Sequence, residues 1–234
     1  MPASVPIAGM SSRVFCKLSG GQTVAAALGA VRWHPPMLAP HNHGMLLIIS
    51  GPSGVGKTTI TRAVEAAIPD AVFSVSATTR PKSAADREGV DYHFVSDDEF
   101  DRMIHSGEFL EHAGVFGKRY GTPRKWVEEK LDLGKLVILE IDVQGAVNVR
   151  REMPEAFAMF VLPPSEAALL ARLQARARES EEVIQRRFAK AREEISTAHN
   201  CEVYDIFLVN RVLDDAVAQA VALVSLMRER CRRK

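Results

Sequence analysis

Apolar residues run unbroken through Met45-Leu-Leu-Ile-Ile-Ser50, and the same texture returns at Ala71–Val75, Lys135–Ile141, Phe157–Leu162 and Ile206–Val209. Short, continuous apolar runs are what strands buried on both faces require. Most are separated by segments with helical spacing, the first of which runs through Ala67. Strands alternating with helices predict an α/β fold, in which a parallel sheet lies between two layers of helices. The polar stretch 77–124, with short alternating pieces such as Asp91-Tyr-His-Phe-Val95, breaks that alternation and reads as an inserted lobe. Pro163-Pro164-Ser165 marks a helix start with Ser165 as N-cap, which places Arg172 and Arg176 at i and i+4 on one face. A second helix begins at Ser180-Glu-Glu182 and carries Arg187. No internal repeat or low-complexity segment follows residue 45.

Composition narrows the class. At 234 residues, against a prior of ~150 per domain, the chain suggests one substantial domain or one and a half. It buries enough surface to need no disulfide or metal staple. Thirty basic against 29 acidic residues leave a net charge of +1, which excludes the basic coat that holds nucleic acid by counterion release. Cys16, Cys201 and Cys231 lie far apart with no C-x-x-C pair, so reduced thiols and a cytoplasmic location are expected. No apolar run approaches ~18 residues, and no membrane span is expected.

The charge is unevenly placed. Residues 1–44 hold Arg13, Lys17 and Arg32 but no Asp or Glu, and Pro35-Pro36 and Pro40 interrupt them. This leader reads as a disordered tail, or as sequence upstream of a true start at Met45, and a transit peptide is the alternative. It is expected to do no chemistry. The folded domain is expected over 45–234.

Directly after the first strand comes Gly51-Pro-Ser-Gly-Val-Gly-Lys-Thr-Thr59. A strand, a glycine-rich loop of the form G-x-x-x-x-G-K-[ST] and a helix together make a phosphate-binding P-loop. Backbone N–H groups of Gly51, Pro52, Ser53, Gly54, Val55, Gly56, Lys57, Thr58 and Thr59, proline excepted, can close round a nucleoside triphosphate, and the helix N-terminus adds positive potential. Lys57 would reach the β- and γ-phosphates, and the Thr58 hydroxyl would ligate Mg²⁺.

A P-loop does not name the acceptor. Ser74-Val-Ser-Ala-Thr-Thr-Arg80 leaves a strand and ends in an arginine suited to gripping an anion with its planar fork. Tyr92, Glu111 and Arg119-Tyr-Gly-Thr122 follow. A carboxylate that accepts two N–H bonds suits guanine, whose N1–H and N2 amine both donate, and a site built that way rejects analogues lacking those donors.

At these residues the chain from 45 to about 227 resembles the guanylate kinases of bacterial type. The resemblance rests on Gly51–Thr59, Ser74–Arg80, Asp91-Tyr92, Gly107-Glu-Phe-Leu-Glu111, Tyr120-Gly-Thr122, Leu139-Glu-Ile-Asp-Val-Gln-Gly145, Ser180–Ile184 and Arg187, in that order and spacing. It implies transfer of the ATP γ-phosphoryl group to GMP, and by extension dGMP, in purine metabolism. A core, a GMP-binding lobe over 77–124 and a lid near 172–187 would move against one another. The resemblance further implies that Ser76, Glu111 and Thr122 meet the guanine base. Arg80, Tyr92 and Tyr120 would meet the GMP phosphate, with Asp142 beside it. Arg172, Arg176 and Arg187 would stabilise the transferring phosphoryl group together with Lys57. Asn210 matches a position at adenine. Glu140, two residues before Asp142 and on the same face of a strand, competes with it for Mg²⁺.

One segment departs from the family. Its usual T-T-R-x-P-R-x-G-E is replaced by Thr78-Thr-Arg-Pro-Lys-Ser-Ala-Ala-Asp86, so Ser83 stands where a second phosphate-gripping arginine is expected. Lys82 or Arg87 could supply the charge. Ala177-Arg178 likewise replaces a Gly-Thr pair in the lid. Two other readings stand beside it: a P-loop kinase for a sugar phosphate, and a guanylate-kinase-like module that binds phosphorylated protein, has lost catalysis and lacks a working phosphate loop. Glu111 with Thr122 argues against the first, and an intact Gly56-Lys57-Thr58 against the second. ATP and GMP are the expected partners, with self-association left open.

Overall fold

The computed structural model describes residues 44–115, 117–175 and 180–232. Its elements in chain order are β1 (Met45–Ser50), α1 (Lys57–Ala67), β2 (Ala71–Phe73), β3 (Ala77–Thr78), β4 (His93–Phe94), α2 (Asp97–His105), β5 (Phe109–Val115) and β6 (Lys118–Pro123). They continue with α3 (Arg124–Asp132), β7 (Leu136–Glu140), α4 (Val143–Glu152), β8 (Phe157–Leu162), α5 (Glu166–Ala175), α6 (Glu181–Asn200), β9 (Ile206–Val209) and α7 (Leu213–Arg232).

The five apolar runs form one parallel sheet of order β2-β7-β1-β8-β9. β1 lies between β7 and β8, with Ile48 opposite Leu139 on one side and Ala158 on the other. All six of its residues are buried, which is why the run needs no polar alternation. Successive side chains point to opposite faces. Leu46 and Ile48 join a core with Val127 and Leu131 of α3, Val143, Ala146 and Val149 of α4, and Phe160 of β8. Leu47 and Ile49, also buried, point the other way, where α1 and α7 pack on β1. The expected three-layer α/β core is present.

The inserted stretch builds a second sheet of order β4-β3-β6-β5. β5 and β6 run antiparallel, whereas β3 and β4 are parallel. Its small core is Ala77, Phe100 and Phe109, with Val95, Met103 and Ile104 against it. Ser96 caps α2 by accepting from the Glu99 N–H at 3.1 Å. The expected N-cap at Ser165 is made too, its hydroxyl accepting from the Ala168 N–H. No helix among the described residues is long and apolar enough to cross a membrane. The leader at 1–43 and lid residues 176–179, Arg176 among them, lie outside the described residues.

Candidate nucleotide-transfer cleft

The loop between β1 and α1 must bend sharply without side chains in the way. Gly56 holds φ 98°, and a Cβ there would lie 2.7 Å from the Asn210 amide nitrogen. Glycine is therefore required both for the left-handed backbone and for the close approach. α1 starts at Lys57 behind Gly56 as N-cap, with no side-chain cap and no acidic residue in its first turn, so its leading N–H groups stay available to an anion. The Lys57 ammonium lies over its own loop, donating to the carbonyls of Gly51 at 2.6 Å and Pro52 at 3.1 Å. Thr58 Oγ1 donates to Glu140 Oε1 at 2.8 Å.

Asn210, 3% exposed, follows β9 and donates from Nδ2 to the Val55 carbonyl at 2.8 Å. The structure thus seats this residue against the P-loop backbone. Arg172 donates to the Asn210 carbonyl at 2.9 Å, and Arg187 Nη2 donates to Ser53 Oγ at 2.6 Å. Two of the three expected lid arginines therefore meet the P-loop or its brace.

The lobe contributes the other wall. Antiparallel register sets Glu111 directly opposite Thr122, and Thr122 Oγ1 donates to Glu111 Oε1 at 2.6 Å. Glu111 is only 6% exposed. Burial, reinforced by the nearby Asp142 carboxylate and opposed by the Thr122 hydrogen bond, pushes its carboxyl up to about 7. Asp142 is the N-cap of α4, accepting from the Gly145 N–H at 2.7 Å. A Cβ on Gly145 would lie 2.6 Å from Glu111 Oε2, so this glycine lets α4 begin against the buried carboxylate.

Tyr92 and Tyr120 meet edge-on with ring centroids 5.6 Å apart. Arg80 lies over Tyr92 at 5.2 Å and over Phe94 at 5.4 Å. Its fork is taken up by Asp86, with Nη1 to Oδ2 and Nη2 to Oδ1 both 2.9 Å, and the Ser83 N–H donates to Asp86 Oδ2 at 2.7 Å. This pairing holds the Asp86 carboxyl well below the usual carboxylate range.

Gly51, Ser53 and Lys57 from the P-loop line one cleft of about 290 Å³ together with Ser76, Tyr92, Glu111, Tyr120, Glu140 and Asp142. Two findings differ from expectation. Glu140 and Asp142 do not share a strand face: β7 ends at Glu140, because Asp142 turns its side chain to cap α4. Glu194 also lines the cleft, where burial raises its carboxyl and Lys57 opposes that rise. It lies seven residues after Arg187 on α6, a spacing that puts both on one helix face, and that spacing was the available signal.

Thr58 and Glu140 offer the oxygen donors that a hard divalent cation takes. No group of three or more His, Cys, Asp or Glu able to hold a metal occurs among the described residues. A cation here would therefore complete its shell with nucleotide phosphates and water.

The family model described as guanylate kinase matches residues 43–226. The guanylate kinase of Anaeromyxobacter dehalogenans is 48% identical over 182 residues, 77% of this chain and 80% of its own. That of Symbiobacterium thermophilum is 48% identical over 189 residues, 81% of this chain and 87% of its own. The crystal structure of guanylate kinase from Anaplasma phagocytophilum, 34% identical, superposes with a TM-score of 0.66 over 81% of this chain and 89% of that one. With a P-loop and a buried carboxylate facing one cleft, and these relatives matching nearly all of the chain beyond the leader, the chain belongs to the guanylate kinase family.

Proposed function

We propose that this protein transfers the γ-phosphoryl group of ATP to GMP, and to dGMP, giving ADP and GDP or dGDP. The observation that carries the reading is one cleft lined by both the P-loop lysine and the buried Glu111, whose carboxylate Thr122 holds. ATP would lie along Gly51–Thr59, with Lys57 turning from its loop carbonyls to the β- and γ-phosphates. The ionised Glu111 would accept from guanine N1–H and the N2 amine. Ser76 and Thr122 would complete the base site. Arg80, Tyr92, Tyr120 and Asp142 would surround the GMP phosphate.

Phosphoryl transfer demands alignment and charge stabilisation more than a general base. One bond forms from a GMP phosphate oxygen to the γ-phosphorus as the bond from the β–γ bridging oxygen breaks. Arg172, Arg176 and Arg187 would gather on the charge that spreads over the γ-phosphoryl oxygens. Thr58, with Glu140 through water, would hold Mg²⁺, which neutralises charge on the β- and γ-phosphates when bound. The lobe over 77–124 would close on GMP and the lid near 172–187 on ATP, excluding water and so suppressing hydrolysis. Asn210, which supports the P-loop through the Val55 carbonyl, would stand at the adenine base. The protein would act in the cytoplasm, in purine nucleotide metabolism.

The test is ADP formation with ATP and Mg²⁺ across GMP, dGMP, AMP, CMP, UMP and ribose phosphates. Turnover confined to guanine nucleotides, and lost in Lys57→Met while circular dichroism is unchanged, supports the reading. Turnover with a ribose phosphate overturns it.

A further inference from the structure

We propose that Lys82 is the second cation of the acceptor-phosphate site, a role that rests on the GMP reading above. Among the residues lining the cleft the cation is Lys57, which the reading above gives to ATP, so a phosphate dianion on GMP needs positive charge from elsewhere. Arg80, the arginine beside Tyr92, has both ends of its fork committed to Asp86, so the pair is neutral as a unit. Glu111, Glu140, Asp142 and Glu194 line the same cleft and repel an anion further. Position 83, where an arginine would help, is serine.

Two cations flank that serine, and the structure separates them. Arg87 is 72% exposed and its Nε faces Asp91 at 3.5 Å, with its backbone N–H on the same carboxylate at 2.8 Å. It is therefore tied to the far end of the loop. The Lys82 ammonium lies over the Phe94 ring at 6.0 Å from the centroid, on the ring that Arg80 also covers at 5.4 Å. Phe94 in turn meets Tyr92 edge-on at 5.9 Å, and Tyr92 lines the cleft. Lys82 thus shares with Arg80 an aromatic platform that adjoins the cleft-lining Tyr92, and no ion pair of Lys82 with a carboxylate occurs among the described residues. Its flexible four-carbon stem carries a point charge that can swing to an incoming phosphate.

Steady-state kinetics of the full chain with GMP varied at saturating ATP and Mg²⁺ test this. Lys82→Met keeps an apolar stem on Phe94 and removes the charge. It should raise KM for GMP about tenfold, the effect of losing one charge-assisted contact, while kcat stays within twofold. The same variant should show a weaker rise of KM with added salt than the wild type. Lys82→Arg should keep KM near the wild-type value, and Arg87→Met should leave it unchanged. A KM within twofold of wild type in Lys82→Met, or an equal rise in Arg87→Met, overturns the assignment. Absence of GMP turnover in the wild type would instead overturn the reading on which it rests.

Discussion

Glu111 turns burial into a pH dependence that can be worked from the structure. Its carboxyl, 6% exposed, is raised from 4.5 to about 7 by burial, with Asp142 adding to the rise. A carboxylate with a folded-state value above its unfolded one favours the folded protein most when protonated. The free protein should therefore be most stable, as far as this group is concerned, below about pH 4.5, and lose that contribution as pH rises through 7. At about 1.36 kcal/mol per pH unit, ionising Glu111 above pH 7 costs the fold on the order of 3 kcal/mol.

Ligand binding runs in the opposite sense. Accepting two N–H donors from guanine needs the ionised form, so affinity should fall as pH drops below 7. One proton per site predicts about tenfold weaker binding for each pH unit below that point. Calorimetric titration of guanosine between pH 5.5 and 8.5 isolates this effect, because guanosine has no phosphate of its own to titrate. Glu111→Gln should abolish the pH dependence, bind guanosine weakly throughout, and raise the denaturation midpoint of the free protein at pH 8. A flat guanosine profile across pH 7 in the wild type, or a sloping one kept by Glu111→Gln, would refute the reasoning.

Gly145→Ala would put a Cβ 2.6 Å from Glu111 Oε2. It should raise KM for GMP at least several-fold with little change in KM for ATP, as initial-rate measurements would show. Asp205, 1% exposed, accepts from the Ala158 N–H and from Arg150 Nη2, both at 2.8 Å. Asp205→Ala leaves a buried N–H and a guanidinium without that partner, so urea denaturation should show a loss of about 3 kcal/mol.

Local pattern was enough for the frame. The run Met45–Ile49 is apolar at every step because β1 is buried on both sides, and the loop Gly51–Thr59 carries its function in glycine spacing and one lysine. Such signals survive in one dimension because their physical cause lies within a few residues. Ser165 and Ser180 likewise mark helix starts that the chain makes. The strand expected over Ala71–Val75 ends at Phe73: its pairing with β7 stops at Phe73 opposite Ile138, and after one further bond from the Ser74 N–H to the Ile138 carbonyl the chain leaves for the lobe.

Tertiary structure decided what a side chain does once its neighbours come from elsewhere in the chain. Glu111 is an ordinary lobe glutamate until β6 sets Thr122 opposite it and α4 brings Asp142 and Gly145 against it. Glu140 and Asp142 look equivalent two residues apart, yet the helix that begins at Val143 takes Asp142 as its cap and leaves Glu140 to Thr58. The resemblance puts Asn210 at adenine, and 155 residues of separation hide its bond to the Val55 carbonyl. Lys82 and Arg87 carry the same charge in the same loop, and only the packing of Phe94 and the position of Asp91 tell them apart. Charge type and spacing are properties of the sequence, whereas burial and pairing, which set a carboxyl near 7 or commit an arginine to an aspartate, exist only after the chain has folded.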